Sequence, residues 1–245
     1  MITVLYTLLG ILLPLFGTAA GAAAVFIFTK RLSSYEKIMS AFAAGVMTAA
    51  SLWSLIIPAI KMCSSLGRLA FSPVLIGILI GSAVMVLCEK SYNKATRTAK
   101  QLAAVTLHNL PEGMAVGLMF SRYLSDGTDS TLIGAFAFSL AIAIQNIPEG
   151  AIISLPDYTE RKSKPRAFGI GVLSGAVEPL GAVLTLLVAG FAEKALPYLF
   201  GFAAGTMLYV VADGLLDREE EKPCFVPLCF IVGFSLMMTL DVALG

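Results

Sequence analysis

The sequence predicts an all-α polytopic membrane protein, with eight transmembrane helices in a 3+2+3 inverted-repeat arrangement. Three observations carry that prediction. Apolar runs near or above the roughly 20 residues that cross a hydrocarbon core of about 30 Å recur along the whole chain. Lys and Arg are concentrated in alternate loops. Short motifs return at fixed offsets that pair the first three spans with the last three. The composition agrees: 58% of the 245 residues are hydrophobic and 13% are charged, about half the charged share of a soluble domain. A formal net charge of +1 points to no nucleic-acid partner.

Charge clusters and Pro/Gly punctuation place the spans at about 4–29, 38–60, 72–89, 101–120, 132–155, 166–192, 196–216 and 224–243. The first lacks a basic stretch ahead of its apolar core, exceeds a signal-peptide h-region in length and ends at Lys30-Arg31. It therefore reads as a retained span. Residues 1–245 read as a single transmembrane domain. Thirteen Lys and Arg lie in the first, third, fifth and seventh loops: Lys30, Arg31, Lys37, Lys90, Lys94, Arg97, Lys100, Arg161, Lys162, Lys164, Arg166, Arg218 and Lys222. The even loops hold four: Lys61, Arg68, Arg122 and Lys194. Positive charge stays on the cytoplasmic side, so both termini are expected outside a cell (inner) membrane. Cys63, Cys88, Cys224 and Cys229 show no CxxC spacing and read as small buried hydrophobes.

The repeats are short but consistent. "FAAGVM" at 42–47 returns as "FAAGTM" at 202–207, an offset of 160 that also sets Gly21 on Gly181 and Thr18 on Glu178. An offset of 152 relates Gly81 to Gly233, Met85 to Met237 and Glu89 to Asp241. Five spans separate the members of each pair, so the two triplets have opposite orientations, as in many secondary transporters. Spans four and five lie between the triplets and carry a repeat of their own, "HNLPEG" at 108–113 and "QNIPEG" at 145–150.

Those hexamers carry the chemistry. His108 and Glu112 share a helix face, as do Gln145 and Glu149. Asn109 and Asn146 follow one position on, about 100° around the axis. Pro111 and Pro148 lack N–H groups, so the carbonyls of Leu107 and Ile144 are expected to lose helical partners and the turns to loosen. Glutamates inside a bilayer face a cavity, pair or mark an ion path, and no Lys or Arg lies within these two spans to pair with them. A divalent cation between the helices would neutralise Glu112 and Glu149. Mixed N/O ligation suits Zn²⁺, Fe²⁺, Mn²⁺ or Co²⁺ better than Ca²⁺, and lacks the thiolates suited to Cu⁺. The bland readings are a lone satisfied histidine and a structural polar kink, and both leave the second copy unexplained. Glu178, before Pro179 in "SGAVEPLGA", is a third intramembrane acid. Asp213 is a candidate for the transport path or an interfacial acid. Met47, equivalent to Met207, is a packing residue or a soft path ligand.

"HNLPEGMAVG" and "QNIPEGAIISLP" resemble the signature spans of ZIP metal transporters, with the nearest likeness to the bacterial branch that has Gln at the head of the second motif. "AFAAGVMTAASLWSLIIPAI" at 41–60 and "SGAVEPLGA" at 174–182 resemble that branch too. The resemblance implies import of Zn²⁺ or related metals (Fe²⁺, Mn²⁺, Co²⁺, Cd²⁺) into the cytoplasm, by a homodimer whose spans move as a block. It implies one metal position at His108, Glu112, Gln145 and Glu149, and a second at Asn109, Asn146 and Glu178 that shares Glu112 and Glu149. Asn146 stands where some relatives have Asp, so the second position is expected to bind more weakly. The loop "EKSYNKATRTAK" has no histidine, which argues against a metal sensor there.

Alternating access of a divalent metal is the function these residues imply, with divalent ions and membrane lipids as partners. An intramembrane metallohydrolase would need a richer ligand set such as HExxH, and the chain has a single histidine. A non-transporting metal sensor or subunit of the same fold is the alternative. A proton- or sodium-coupled carrier of an organic solute fits less well, because facing carboxylates without a basic partner favour a cation.

Overall fold

A computed structural model describes residues 2–27, 32–91, 97–216 and 225–244. The described residues are helical apart from short turns. α1 (Ile2–Ala22) and α2 (Ala24–Ile27) form the first rod. α3 (Leu32–Ala50) runs through a π-helical segment, Ser51–Ile56, into α4 (Ile57–Met62). A 3₁₀ turn, Ser64–Leu69, leads to α5 (Ser72–Ser91). The central pair is α6 (Arg97–Asp126) and α7 (Asp129–Arg161). α8 (Lys164–Gly175) and α9 (Val177–Leu187) form the sixth rod, followed by α10 (Ala189–Leu216) and α11 (Val226–Leu244).

Local chemistry explains the departures from the expected spans. The sixth rod breaks at Ala176 because Pro179 has no N–H for the Gly175 carbonyl. The π segment precedes Pro58, which removes the N–H that an α-helix would aim at the Ser54 carbonyl, and Ser51 Oγ donates back to the Met47 carbonyl at 2.7 Å. Pro111 and Pro148, expected to loosen their turns, lie within continuous helices. Pro14 likewise leaves α1 unbroken, and the Gly10 carbonyl that it frees accepts Ser139 Oγ of α7 at 2.5 Å. Of the loop cations, Lys30, Arg31, Lys94, Arg218 and Lys222 lie outside the described residues, as does Cys224.

Among the described residues, seven stretches are long and apolar enough to cross a bilayer: Ile2–Ile27, Ile38–Met62, Ser72–Lys90, Asp129–Arg161, Lys164–Leu187, Lys194–Asp213 and Val226–Ala243. α6 is the exception. Its 30 residues extend about 45 Å at 1.5 Å per residue, which is length enough, but the polar hexamer and its flanking charges dilute its apolarity.

Four helix pairs dominate the packing: α1 with α7, α6 with α9, α3 with α11, and α5 with α10. Small residues let the backbones touch. A Cβ on Gly21 would lie 1.8 Å from the Ile147 carbonyl oxygen, and one on Gly150 would lie 2.0 Å from that of Thr18. In α6 and α9 the same contacts recur, Gly181 against Leu110 at 2.5 Å and Gly113 against Glu178 at 2.1 Å. Likewise Gly45 meets Phe230 where Gly205 meets Ile78, and Gly233 meets Phe42 where Gly81 meets Phe202. Every one of these contacts maps onto its twin by the offsets read from the sequence. Helix direction follows from further contacts: Gly17 meets Ala143 as Gly21 meets Ile147, Gly113 meets Glu178 as Gly117 meets Ala182, Gly77 meets Tyr198 as Gly81 meets Phe202, and Gly45 meets Phe230 as Ser54 meets Asp241. Within each pair the numbers rise together, so the paired helices run parallel.

Candidate metal site

α6 and α7 are joined by two residues. Gly127 takes a positive φ of 63°, and Thr128 caps α7 by accepting the Thr131 N–H at 3.3 Å. This tight hairpin sets the helices antiparallel and brings the two hexamers side by side. α1 packs against α7 and α9 against α6, and α1 and α9 also meet each other.

All seven residues expected to bind metal are buried. His108, Asn109, Glu112, Asn146 and Glu178 are 0% exposed, and Gln145 and Glu149 are 1%. His108 Nε2 lies 3.5 Å from Glu149 Oε2 across the helix pair. Gln145 Nε2 donates to Glu112 Oε1 at 2.8 Å. Asn146 Nδ2 donates to Glu178 Oε1 at 2.8 Å and to the Pro14 carbonyl at 3.3 Å. Asn109 Nδ2 donates to the Ser174 carbonyl at 3.2 Å. Each hexamer thus reaches the acid of the other, and Glu178 joins through Asn146.

Three groups in this network were not among the expected site residues: the Thr18 hydroxyl and the carbonyls of Pro14 and Ser174. Thr18, 0% exposed, donates to Glu178 Oε1 and to the Pro14 carbonyl, each at 3.4 Å. The repeat offset that pairs Thr18 with Glu178 also pairs Pro14 with Ser174, so the two asparagine–carbonyl bonds are one interaction written twice. That offset was legible. The carbonyls carry no side-chain signal, and a threonine in a membrane helix is too common to stand out.

The electrostatic character of the site follows from what is left over. Among the described residues, buried side-chain polar atoms without a hydrogen-bond partner belong to these seven residues, apart from one oxygen each on Asp157 and Asp241. They include Glu112 Oε2, both Glu149 oxygens, Glu178 Oε2, and the amide oxygens of Asn109, Gln145 and Asn146. An unmet buried polar group costs roughly 1–3 kcal/mol, more when charged. A cluster with spare acceptors and few donors is chemically suited to a cation. Among the described residues no three His, Cys, Asp or Glu side chains converge as a ready-made metal site. The Gln145 and Asn146 amides cover two carboxylate oxygens, so a full ligand set needs amide oxygens.

Asp213 is exposed on α10, near the end of the helix. Met47 lies in the largest apolar cluster with Met207, which faces Ser51 Oγ at 3.8 Å. The loop residues at 92–96 lie outside the described residues.

Bilayer-length apolar helices around a buried polar cluster define an integral membrane protein of the transporter class. The family model described as ZIP Zinc transporter matches residues 89–241. The chain is 32% identical to zinc transporter ZIP11 of Xenopus tropicalis, over 99% of this chain and 98% of that protein. It is also 32% identical to zinc transporter ZIPB of Bordetella bronchiseptica, over 98% of this chain and 82% of that protein. Zinc transporter GufA of Myxococcus xanthus matches at 32% over 58% of this chain and 54% of that protein. The chain belongs to the ZIP family of zinc transporters, which are carriers and not enzymes.

Proposed function

We propose that this protein imports Zn²⁺, and related divalent metals, into the cytoplasm by alternating access, holding the ion between α6 and α7. The supporting observation is the convergence of buried, unpartnered acceptors on the two hexamers. His108, Glu112, Gln145 and Glu149 make the first metal position. Asn109, Asn146 and Glu178 make the second, sharing Glu112 and Glu149. An arriving ion sheds water, takes the spare oxygens and the imidazole, and draws the Gln145 and Asn146 amides off the carboxylates. Its +2 charge offsets two of the three buried acids.

Eight crossings with both termini outside are part of this reading. Helix direction supports them: α1 and α7 pack parallel, and so do α3 and α11. With α6 as a crossing, each pair is separated by an even number of spans and must be parallel. Without it, each would be antiparallel. The same pairing supports a 3+2+3 inverted repeat. α1, α6, α7, α8 and α9 pack as one block around the site, beside α3, α5, α10 and α11. Sliding of the first block, in a homodimer, would carry the ion across. Asp213 belongs to the inner end of the route, and Met47 to its wall.

The test is zinc uptake into proteoliposomes. Glu112→Ala and Glu149→Ala each remove a shared ligand and are expected to lower saturable uptake by at least about a hundredfold. Unchanged saturable uptake in both variants overturns the assignment.

A further inference from the structure

The two metal positions differ in donor chemistry, and that difference has a consequence for which cation each holds. The first contains the chain's only imidazole, His108. The second contains none. Its groups are the amide oxygens of Asn109 and Asn146 and the free Oε2 of Glu178, all fully buried and without a hydrogen-bond partner. The Glu112 and Glu149 carboxylates supply further oxygen. Around them the structure adds more oxygen: the Thr18 hydroxyl beside Glu178, and the carbonyls of Pro14 and Ser174 that hold the two asparagine amides in place.

Carboxylate and carbonyl oxygen suit Mg²⁺, Ca²⁺ and Mn²⁺, whereas imidazole suits zinc and its neighbours. The repeat makes the contrast sharper. By the repeat offset, Thr18 stands where a carboxylate would stand if the site were symmetric, so one side of the second position is neutral. That lowers the charge available to compete for zinc and leaves the oxygen count intact.

Resting on the proposed two-position site, we infer that the Asn109–Asn146–Glu178 position takes a hard divalent cation of the Mn²⁺ or Mg²⁺ class beside the zinc held at His108, with Thr18 positioning the Glu178 carboxylate. Thr18 acts through Glu178: its hydroxyl and the Asn146 amide both donate to Oε1, which turns Oε2 away as the free ligand atom.

The experiment titrates Mn²⁺ into purified protein holding one equivalent of Zn²⁺ and reads free Mn²⁺ by electron paramagnetic resonance. One further Mn²⁺ per chain is expected. Thr18→Val keeps shape and removes the hydroxyl, and is expected to weaken that Mn²⁺ by about tenfold while changing zinc affinity less than about twofold, with Thr18→Ser restoring it. Exclusion of Mn²⁺ by the single zinc equivalent, or equal Mn²⁺ uptake by all three proteins, overturns the inference and leaves the zinc site standing. A parallel titration in which wild-type protein binds no zinc overturns the proposed function itself.

Discussion

At the scale of single residues, the site is a set of twins with two mismatches. His108 faces Gln145 in the repeat, and Thr18 faces Glu178. Asn146 shows how finely donors and acceptors are balanced. Its amide donates to Glu178 Oε1 at 2.8 Å and to the Pro14 carbonyl at 3.3 Å. Asn146→Asp replaces that donor with a like charge, so the metal-free protein should lose roughly 1–3 kcal/mol of stability. With metal present the added carboxylate becomes a ligand, and the second ion should bind about tenfold more tightly. Thermal unfolding in detergent with and without metal checks both signs, and a variant insensitive to metal contradicts them. Gly150 is constrained differently: a Cβ there would lie 2.0 Å from a backbone oxygen, so Gly150→Ala should cost about 1–3 kcal/mol through forced separation of α1 and α7. The hexamers themselves were legible because two closely similar polar runs in an apolar setting leave the bland readings without an account of the second copy. The Pro14 and Ser174 carbonyls were not, because main-chain atoms are the same in every sequence.

Among the elements, α6 is the one whose role hydropathy obscures. The polar hexamer depresses its apolarity, so the helix that carries His108 and Glu112 is the one long helix among the described residues that apolarity alone does not mark as a span. Its partner α7 depends on a short, well-capped hairpin. Thr128→Ala removes the side chain that accepts the Thr131 N–H and should destabilise the hairpin by about 1 kcal/mol, measurable as a lowered melting temperature. The π segment at 51–56 was not anticipated: Pro58 stands in the sequence, but a proline does not by itself say that the turn before it widens. Ser54 in this segment donates to Asp241 Oδ1 of α11 at 2.7 Å. Pro111 and Pro148, expected to loosen their turns, leave α6 and α7 continuous. Beside those prolines α9 and α1 approach closely, at Gly113 and Gly150.

For the whole molecule, the parity of helix directions makes the topology testable. In a background without the native cysteines, Ser65→Cys and Ser130→Cys should react with a membrane-impermeant maleimide from outside intact cells. Arg161→Cys should react only after permeabilisation. Labelling of Ser65 and Ser130 from opposite sides would remove α6 as a crossing. Metal binding requires neutral imidazole and ionised carboxylates, so zinc affinity should fall as pH is lowered, with protons released on binding in weakly buffered solution. The helix pairing also sets a timetable for assembly. α3 emerges early, yet the partner for its Gly45 face is α11, made much later. At 5–20 residues per second, roughly 10–40 s pass between synthesis of Gly45 and of Gly233. α1 must similarly wait for α7, so Thr18 and Pro14 sit in lipid before Asn146 exists. A nascent chain of this protein therefore holds half-built seams in the bilayer until α11 arrives, and a truncation before Val226 leaves α3 without its parallel partner.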